Sequence, residues 1–144
     1  MSYIQYNSKG QLHGTCQFEA WSILYDNGVP LSVTLDDGTV IKTDKNTEIT
    51  NHTITFKNDN GGFHREDGPS IIWSNGDKLW CINGDFHRED GPSIIPSYGD
   101  KLWYINGNRY GKGEDPPERY LQALVGQDII KHVDAFVRGS DDSQ

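Results

Sequence analysis

The chain has 144 residues, a mass of 16.2 kDa and a formal charge of −8, from 13 basic and 21 acidic residues. That length suits one compact domain, or one domain with a small cap, and excludes a large multidomain enzyme. The acidic balance argues against direct nucleic-acid binding, the widely separated Cys16 and Cys81 offer no metal spacing and no secreted disulfide framework, and the apolar runs are too short to span a membrane.

In chain order, the first element is a turn, Ser8-Lys9-Gly10-Gln11-Leu12-His13-Gly14, which holds in reduced form a turn, a histidine and a glycine that recur later. Trp21–Tyr25 and Leu31–Leu35 form a predicted strand pair around Asp26-Asn27-Gly28. Thr39–Lys42 leaves the turn Asp36-Asp37-Gly38 as another strand. Asn-Gly and Asp-Gly favour the left-handed backbone of tight hairpin turns. Ile54–Phe56, followed by Asn60-Gly61, resembles the second half of the unit that comes next.

That unit is repeated. Gly62–Gly84 and Asp85–Gly107 agree at 19 of 23 positions, differing only at 62/85, 73/96, 75/98 and 81/104. Such a period marks one supersecondary element stacked on its neighbour. A unit of this length is too short for two helices with loops, and its punctuation fits strands. Asp67-Gly68-Pro69 precedes Ile71-Ile72-Trp73, then come the turn Ser74-Asn75-Gly76, the run Lys78–Ile82 and Asn83-Gly84. Proline belongs at a strand start, where its missing donor matters least. Alternation puts Trp80 and Ile82 on one face, with Trp103 and Ile105 equivalent to them. Leu79 and Cys81, with Leu102 and Tyr104, take the other.

A third copy begins at Asn106-Gly107 and breaks into Gly111–Pro117. From there the period changes. Tyr120, Leu121, Leu124, Val125, Ile129, Val133, Phe136 and Val137 recur at helical spacing, as one amphipathic helix or as two short ones broken near Gly126-Gln127-Asp128, with a C-cap at Gly139. Pro116 and Pro117 stand at the helix start, with Glu118 near its N-terminus. The helix is expected to cover the open end of the hairpin stack, or to pair two copies of the chain as an oligomer. The domain expectation is a divergent β-region at 1–58, repeats at 59–115, a helical cap at 116–139 and an acidic tail at 140–144.

The order Asn83-Gly84-Asp85-Phe86-His87, Gly91, Gly99-Asp100-Lys101-Leu102-Trp103-Tyr104 resembles MORN-type repeats. The block His-Arg-Glu-Asp-Gly-Pro resembles repeats in uncharacterised proteins of tailed bacteriophages and large viruses. It stands where ordinary MORN units carry a glycine pair. The close resemblance covers about Asn60–Asn108. It implies a mainly β fold, a curled antiparallel β-meander of stacked MORN-like hairpins with a C-terminal capping helix. It also implies scaffolding or protein binding without shared catalytic residues, and suggests an accessory protein acting on a host component.

Repetition gives His64, Asp67, Gly68, His87, Asp90 and Gly91 a structural reading, as repeat turns and inter-repeat contacts. Arg65 is expected to pair with a carboxylate of a neighbouring unit. Duplicated histidines and carboxylates also invite a metal, but a catalytic site needs only one nucleophile and one base, so no metal and no cofactor are assigned. No catalytic residue is assigned either. His13 and Cys16 lack an orienting partner, no HExxH or serine elbow occurs, and the glycine turns lack the strand–loop–helix context of a phosphate loop. The candidate interaction surface is the aromatic ladder Trp73, Trp80, Tyr98, Trp103 and Tyr104 with Arg65 and Arg88. Its alternative role is core packing. Without a basic-then-apolar leader, a cytoplasmic location is expected. The functional expectation is a non-catalytic inhibitor or adaptor that binds a host protein, with no membrane and no direct nucleic-acid partner. Sequestration of a small nucleotide, or a minor structural place in a virion, stands as the alternative.

Overall fold

The computed structural model describes residues 3–126. The chain divides into two compact units, Met1–Ile54 and Thr55–Gln144. The division precedes the boundary expected after residue 58, because Phe56 already donates its N–H to Ser70 in the second unit at 2.7 Å.

The first unit is an antiparallel sheet in the order β1-β2-β3-β4, from Gly14–Gln17, Trp21–Asp26, Val29–Leu35 and Val40–Lys42. Asn27 and Gly28 both take positive φ, 48° and 89°, so the β2–β3 hairpin closes in the tight left-handed turn that Asn-Gly favours. Ile23 pairs with Val33, and Val33 with Ile41, so the buried Cys16, Ile23, Val33 and Ile41 share one face. The unit continues through β5 (Glu48–Ile49) into β6 (Thr53–Thr55). The short strand β5 has no counterpart among the strands expected from the sequence.

The second unit contains β7 (Ile71–Trp73), β8 (Lys78–Leu79), β9 (Cys81–Ile82), β10 (Asp85–Phe86), β11 (Ile94–Ile95), β12 (Leu102–Ile105), β13 (Asn108–Lys112) and helix α1 (Glu118–Gly126). Strands β7-β8-β11-β12-β13 neighbour one another in that order, and β9 and β10 form a separate ribbon. The fold is thus mainly β, built of antiparallel hairpins with one helix at the C-terminal end. Among the described residues no sheet closes into a barrel.

Two local features depart from a uniform repeat. The run Lys78–Ile82 is one strand in the sequence reading, but it breaks at Trp80. The Trp80 N–H donates to Ser93 at 2.8 Å and its carbonyl accepts from His87 at 3.0 Å, so the chain changes partner there. In the second copy the equivalent run stays whole as β12. Trp73 donates its N–H to Asp77 at 2.9 Å across the β7–β8 turn. Pro96 has no such donor. The Ser97 N–H instead reaches the Asp77 carboxylate of the preceding copy at 2.6 Å, which holds that carboxyl below its usual pKa.

Helix α1 caps the stack. Tyr120 and Leu124 lie four apart on its inner face and form a closed cluster with Trp103 and Ile105, each at most 2% exposed. The Tyr120 ring meets Trp103 edge-on at 4.8 Å between centroids, the arrangement that aromatic quadrupoles favour. Its hydroxyl donates to the carbonyl oxygens of Arg88 and Gly91, and burial pushes it well above a phenol's ordinary pKa. Glu118 begins the helix after Pro117, as expected. Because Tyr120 and Leu124 are spent on β12, they offer nothing to a helix-mediated oligomer. The expected apolar positions from Ile129 to Val137, the cap at Gly139 and the tail at 140–144 lie outside the described residues.

Two substitutions test this closure. Tyr120→Phe leaves two carbonyls without their hydroxyl donor and should lower stability by about 1–3 kcal/mol. Gly111→Ala should cost a similar ~1–3 kcal/mol, because its φ is +152° and a Cβ there would sit 2.6 Å from Pro117 Cγ. Urea unfolding midpoints measure both.

Candidate functional site: the groove between two repeat loops

The histidine of each loop is a clasp. His64 Nδ1 accepts from the backbone N–H of Asn83 at 3.0 Å, and His87 Nδ1 from that of Asn106 at 2.9 Å. Both asparagines sit at positive φ, 50° and 49°, in Asn-Gly turns. The N–H of the following glycine, Gly84 or Gly107, donates to the carbonyl of Phe63 or Phe86, the residue before each histidine. Since the backbone N–H must donate, Nδ1 carries no proton. Nε2 does, and it faces Glu66 Oε2 at 3.3 Å or Glu89 Oε2 at 2.9 Å. The same clasp occurs in the first unit. His13 Nδ1 accepts from the N–H of Asn27 at 3.1 Å, and the Gly28 N–H donates to Leu12. There the histidine and asparagine are 14 residues apart instead of 19, and the Arg-Glu-Asp-Gly-Pro block is missing.

The arginine of each loop folds back inside its own block. Arg65 Nε donates to Asp67 at 3.1 Å and Arg88 Nε to Asp90 at 2.9 Å. This corrects the expected pairing of Arg65 with a neighbouring unit: the partner is two residues away. Both aspartates are largely exposed, so these ion pairs contribute little, about 0–1 kcal/mol. More weight falls on two other contacts. Arg65 and Arg88 each donate from Nη1 to a proline carbonyl, Pro69 or Pro92, at 3.1 Å. Their guanidinium carbons also lie 4.4 Å and 3.9 Å from the ring centroids of Phe56 and Trp80. A partly desolvated cation–π contact of this kind adds about 0.5–2 kcal/mol.

The glycines explain themselves through the same contact. Gly68 and Gly91 do not have positive φ, so the left-handed turn expected of Asp-Gly is not their role. A Cβ on Gly91 would stand 2.6 Å from Arg88 Cζ, and one on Gly68 would stand 2.8 Å from Arg65 Cζ. Each glycine is the gap through which a guanidinium passes.

These two loops wall a groove of about 720 Å³. Its floor is Trp80 and Ile82, both half-buried. One wall is Arg65, Glu66, Asp67 and Gly68, and the other is His87, Arg88, Glu89 and Asp90. Of the ladder read from the sequence, the groove gathers Trp80, Arg65 and Arg88. Trp73 stands half-buried on β7 and is not among the lining residues. Tyr98 is 94% exposed, and Tyr104 packs against Phe86 with ring centroids 5.0 Å apart. Trp103 is 2% exposed beneath α1, so it is core and not interaction surface. Sequence reasoning missed Ile82, Glu66 and Glu89 as lining residues. Alternation from Trp80 was the signal for Ile82.

The groove has a filled counterpart one period on. Trp103 and Ile105 are the repeat equivalents of Trp80 and Ile82, and there α1 covers them. Gly111 stands at the repeat position of Arg88, and it touches Pro117 at the helix start. Among the described residues no group of three or more His, Cys, Asp or Glu side chains is placed to hold a metal ion, and no helix is long and apolar enough to cross a membrane. No protein-family model, curated protein or solved structure matches the chain.

The arginine–glycine fit is testable by a double-mutant cycle. Gly91→Ala should cost about 1–3 kcal/mol with Arg88 present and less than about 0.5 kcal/mol in an Arg88→Ala background, because the clash disappears with the guanidinium. Thermal and urea unfolding of the four proteins gives the coupling.

Proposed function

We propose that this chain is a non-catalytic protein-binding module that docks its partner in the groove over Trp80 and Ile82. The observation that carries the reading is the groove, open among the described residues, whose floor is Ile82 and the part of Trp80 that Arg88 leaves uncovered, between two loops whose polar groups are already paired. Such a surface is preorganised, and binding to it need not order the loops first. Tryptophan and arginine, which meet here as Trp80 and Arg88, are among the residues enriched at interaction hot spots. The resemblance to MORN-type repeats supports a binding or scaffolding role. The resemblance of the His-Arg-Glu-Asp-Gly-Pro block to viral repeats supports a host protein as the partner, in the cytoplasm of an infected cell, with the chain acting as inhibitor or adaptor.

The nucleotide-sequestering alternative draws less support. Arg65 and Arg88 are the groove's two guanidiniums, and each is committed to an aromatic ring, a proline carbonyl and an aspartate. Glu66, Asp67, Glu89 and Asp90 outnumber them, so the local field disfavours phosphate.

The test is affinity capture from host lysate with two baits, the native chain and Ile82→Arg, after circular dichroism shows both folded. A stoichiometric protein retained by the native bait and lost by Ile82→Arg is the expected result. Equal recovery by both baits, or no protein recovered, would overturn the reading.

A further inference from the structure

The molecule contains its own template for what fills the groove. Trp80, Ile82 and the Arg65–Gly68 wall have repeat equivalents in Trp103, Ile105 and the Arg88–Gly91 wall. In the second set the occupant is visible. A tyrosine and a leucine four residues apart on one helix face cover the tryptophan and isoleucine, and the tyrosine hydroxyl reaches two carbonyls of the wall, those of Arg88 and Gly91. In the first set the Arg88 guanidinium lies over the Trp80 ring, and among the described residues the rest of the surface is open.

We propose that the groove over Trp80 and Ile82 receives an amphipathic helix of the partner protein, seated as α1 is seated on Trp103 and Ile105. The proposal rests on the protein-binding reading and names the class of partner. The helix presents an aromatic residue and, four positions on, an aliphatic one, the spacing that puts both on one face. A tyrosine in the aromatic place has its hydroxyl directed to the carbonyls of Arg65 and Gly68, the equivalents of those that Tyr120 uses.

Two differences between the seats refine the occupant. Arg88 covers part of Trp80 at 3.9 Å, where the second seat has Gly111 in contact with Pro117. A proline pair like Pro116-Pro117 would therefore meet a guanidinium, so the partner helix enters without one. The rim of the open seat is also acidic. Glu66, Asp67 and Asp90 are 81%, 85% and 63% exposed at their side chains, and the two arginines are paired within the walls. A helix with lysine or arginine flanking its apolar stripe complements this rim, and an acidic one does not.

The probe is a side-chain-stapled peptide of the α1 sequence Glu118–Gly126 with added flanking lysines and no proline pair, titrated into the full chain. A staple is needed because a helix of this length is not stable alone in water. The expected result is 1:1 binding by calorimetry, with amide shifts at Arg65–Gly68 and Ile82. Placing Asp at the peptide position of Leu124 should weaken binding at least about tenfold. This change leaves the protein untouched, so it reads the seat even where a groove variant fails to fold.

Absence of binding at millimolar peptide would overturn the helix proposal. So would shifts confined to Trp103 and Ile105, which would mean displacement of α1. Self-association of the chain that Ile82→Arg abolishes would overturn it too, because the occupant would then be a second copy. The protein-binding reading fails separately, by the two-bait capture: an Ile82-dependent host protein together with a non-binding peptide leaves that reading standing and rejects only the helix.

Discussion

The arrangement depends on a backbone constraint at three Asn-Gly turns. Asn27, Asn83 and Asn106 hold φ near +50°, a conformation that costs an L-residue about 1–2 kcal/mol relative to the right-handed region. Each is held there by a histidine Nδ1 that accepts its N–H. The clasp ties the strand that ends at the turn to the segment that carries the histidine, which fixes register, and a slip of one residue would reverse every side chain. The same device in both units explains why the first unit can lose the Arg-Glu-Asp-Gly-Pro block and still close its hairpin.

The arginine loops are a second layer built on that register. Once His64 and His87 are fixed, the next residue points its guanidinium across an aromatic ring that directly follows a strand, Phe56 after β6 or Trp80 after β8. Glycine three residues on leaves room for it, and the proline carbonyl anchors it. The block is thus one cooperative packing unit. Its residues make sense only together: alanine in place of Gly91 would spoil the arginine, and loss of the arginine would expose the tryptophan. Repetition of this unit leaves a trough between successive loops, and the groove is the trough between the two complete ones.

At the end of the stack the pattern changes hands. With Gly111 at the repeat position of Arg88, the space over Trp103 passes to Pro117 and Tyr120. A helix does there what a guanidinium and an open groove do one repeat earlier. Termination of the repeat and creation of a core are therefore the same event, and the helix that caps the edge also shows what kind of surface the repeat presents when it is left uncapped.

Much of this was legible in residue order. Identical blocks one period apart announce a repeat, Asn-Gly announces hairpin turns, and the shift to helical spacing after Pro117 announces the cap, because each signal is local and depends on backbone preference. The roles of Arg65, Gly68 and Gly91 were not legible. A close approach between a guanidinium and a missing Cβ exists only when the loop has its three-dimensional path. The two tryptophans mark the limit most clearly. Trp80 and Trp103 lie in the same context, Lys-Leu-Trp-x-Ile-Asn-Gly, so alternation groups each with the isoleucine two residues on. Which one is core and which one floors a groove was decided by tertiary structure alone. Burial is set by what packs above a side chain, and the atoms above Trp103 come from a helix that no neighbouring residue specifies.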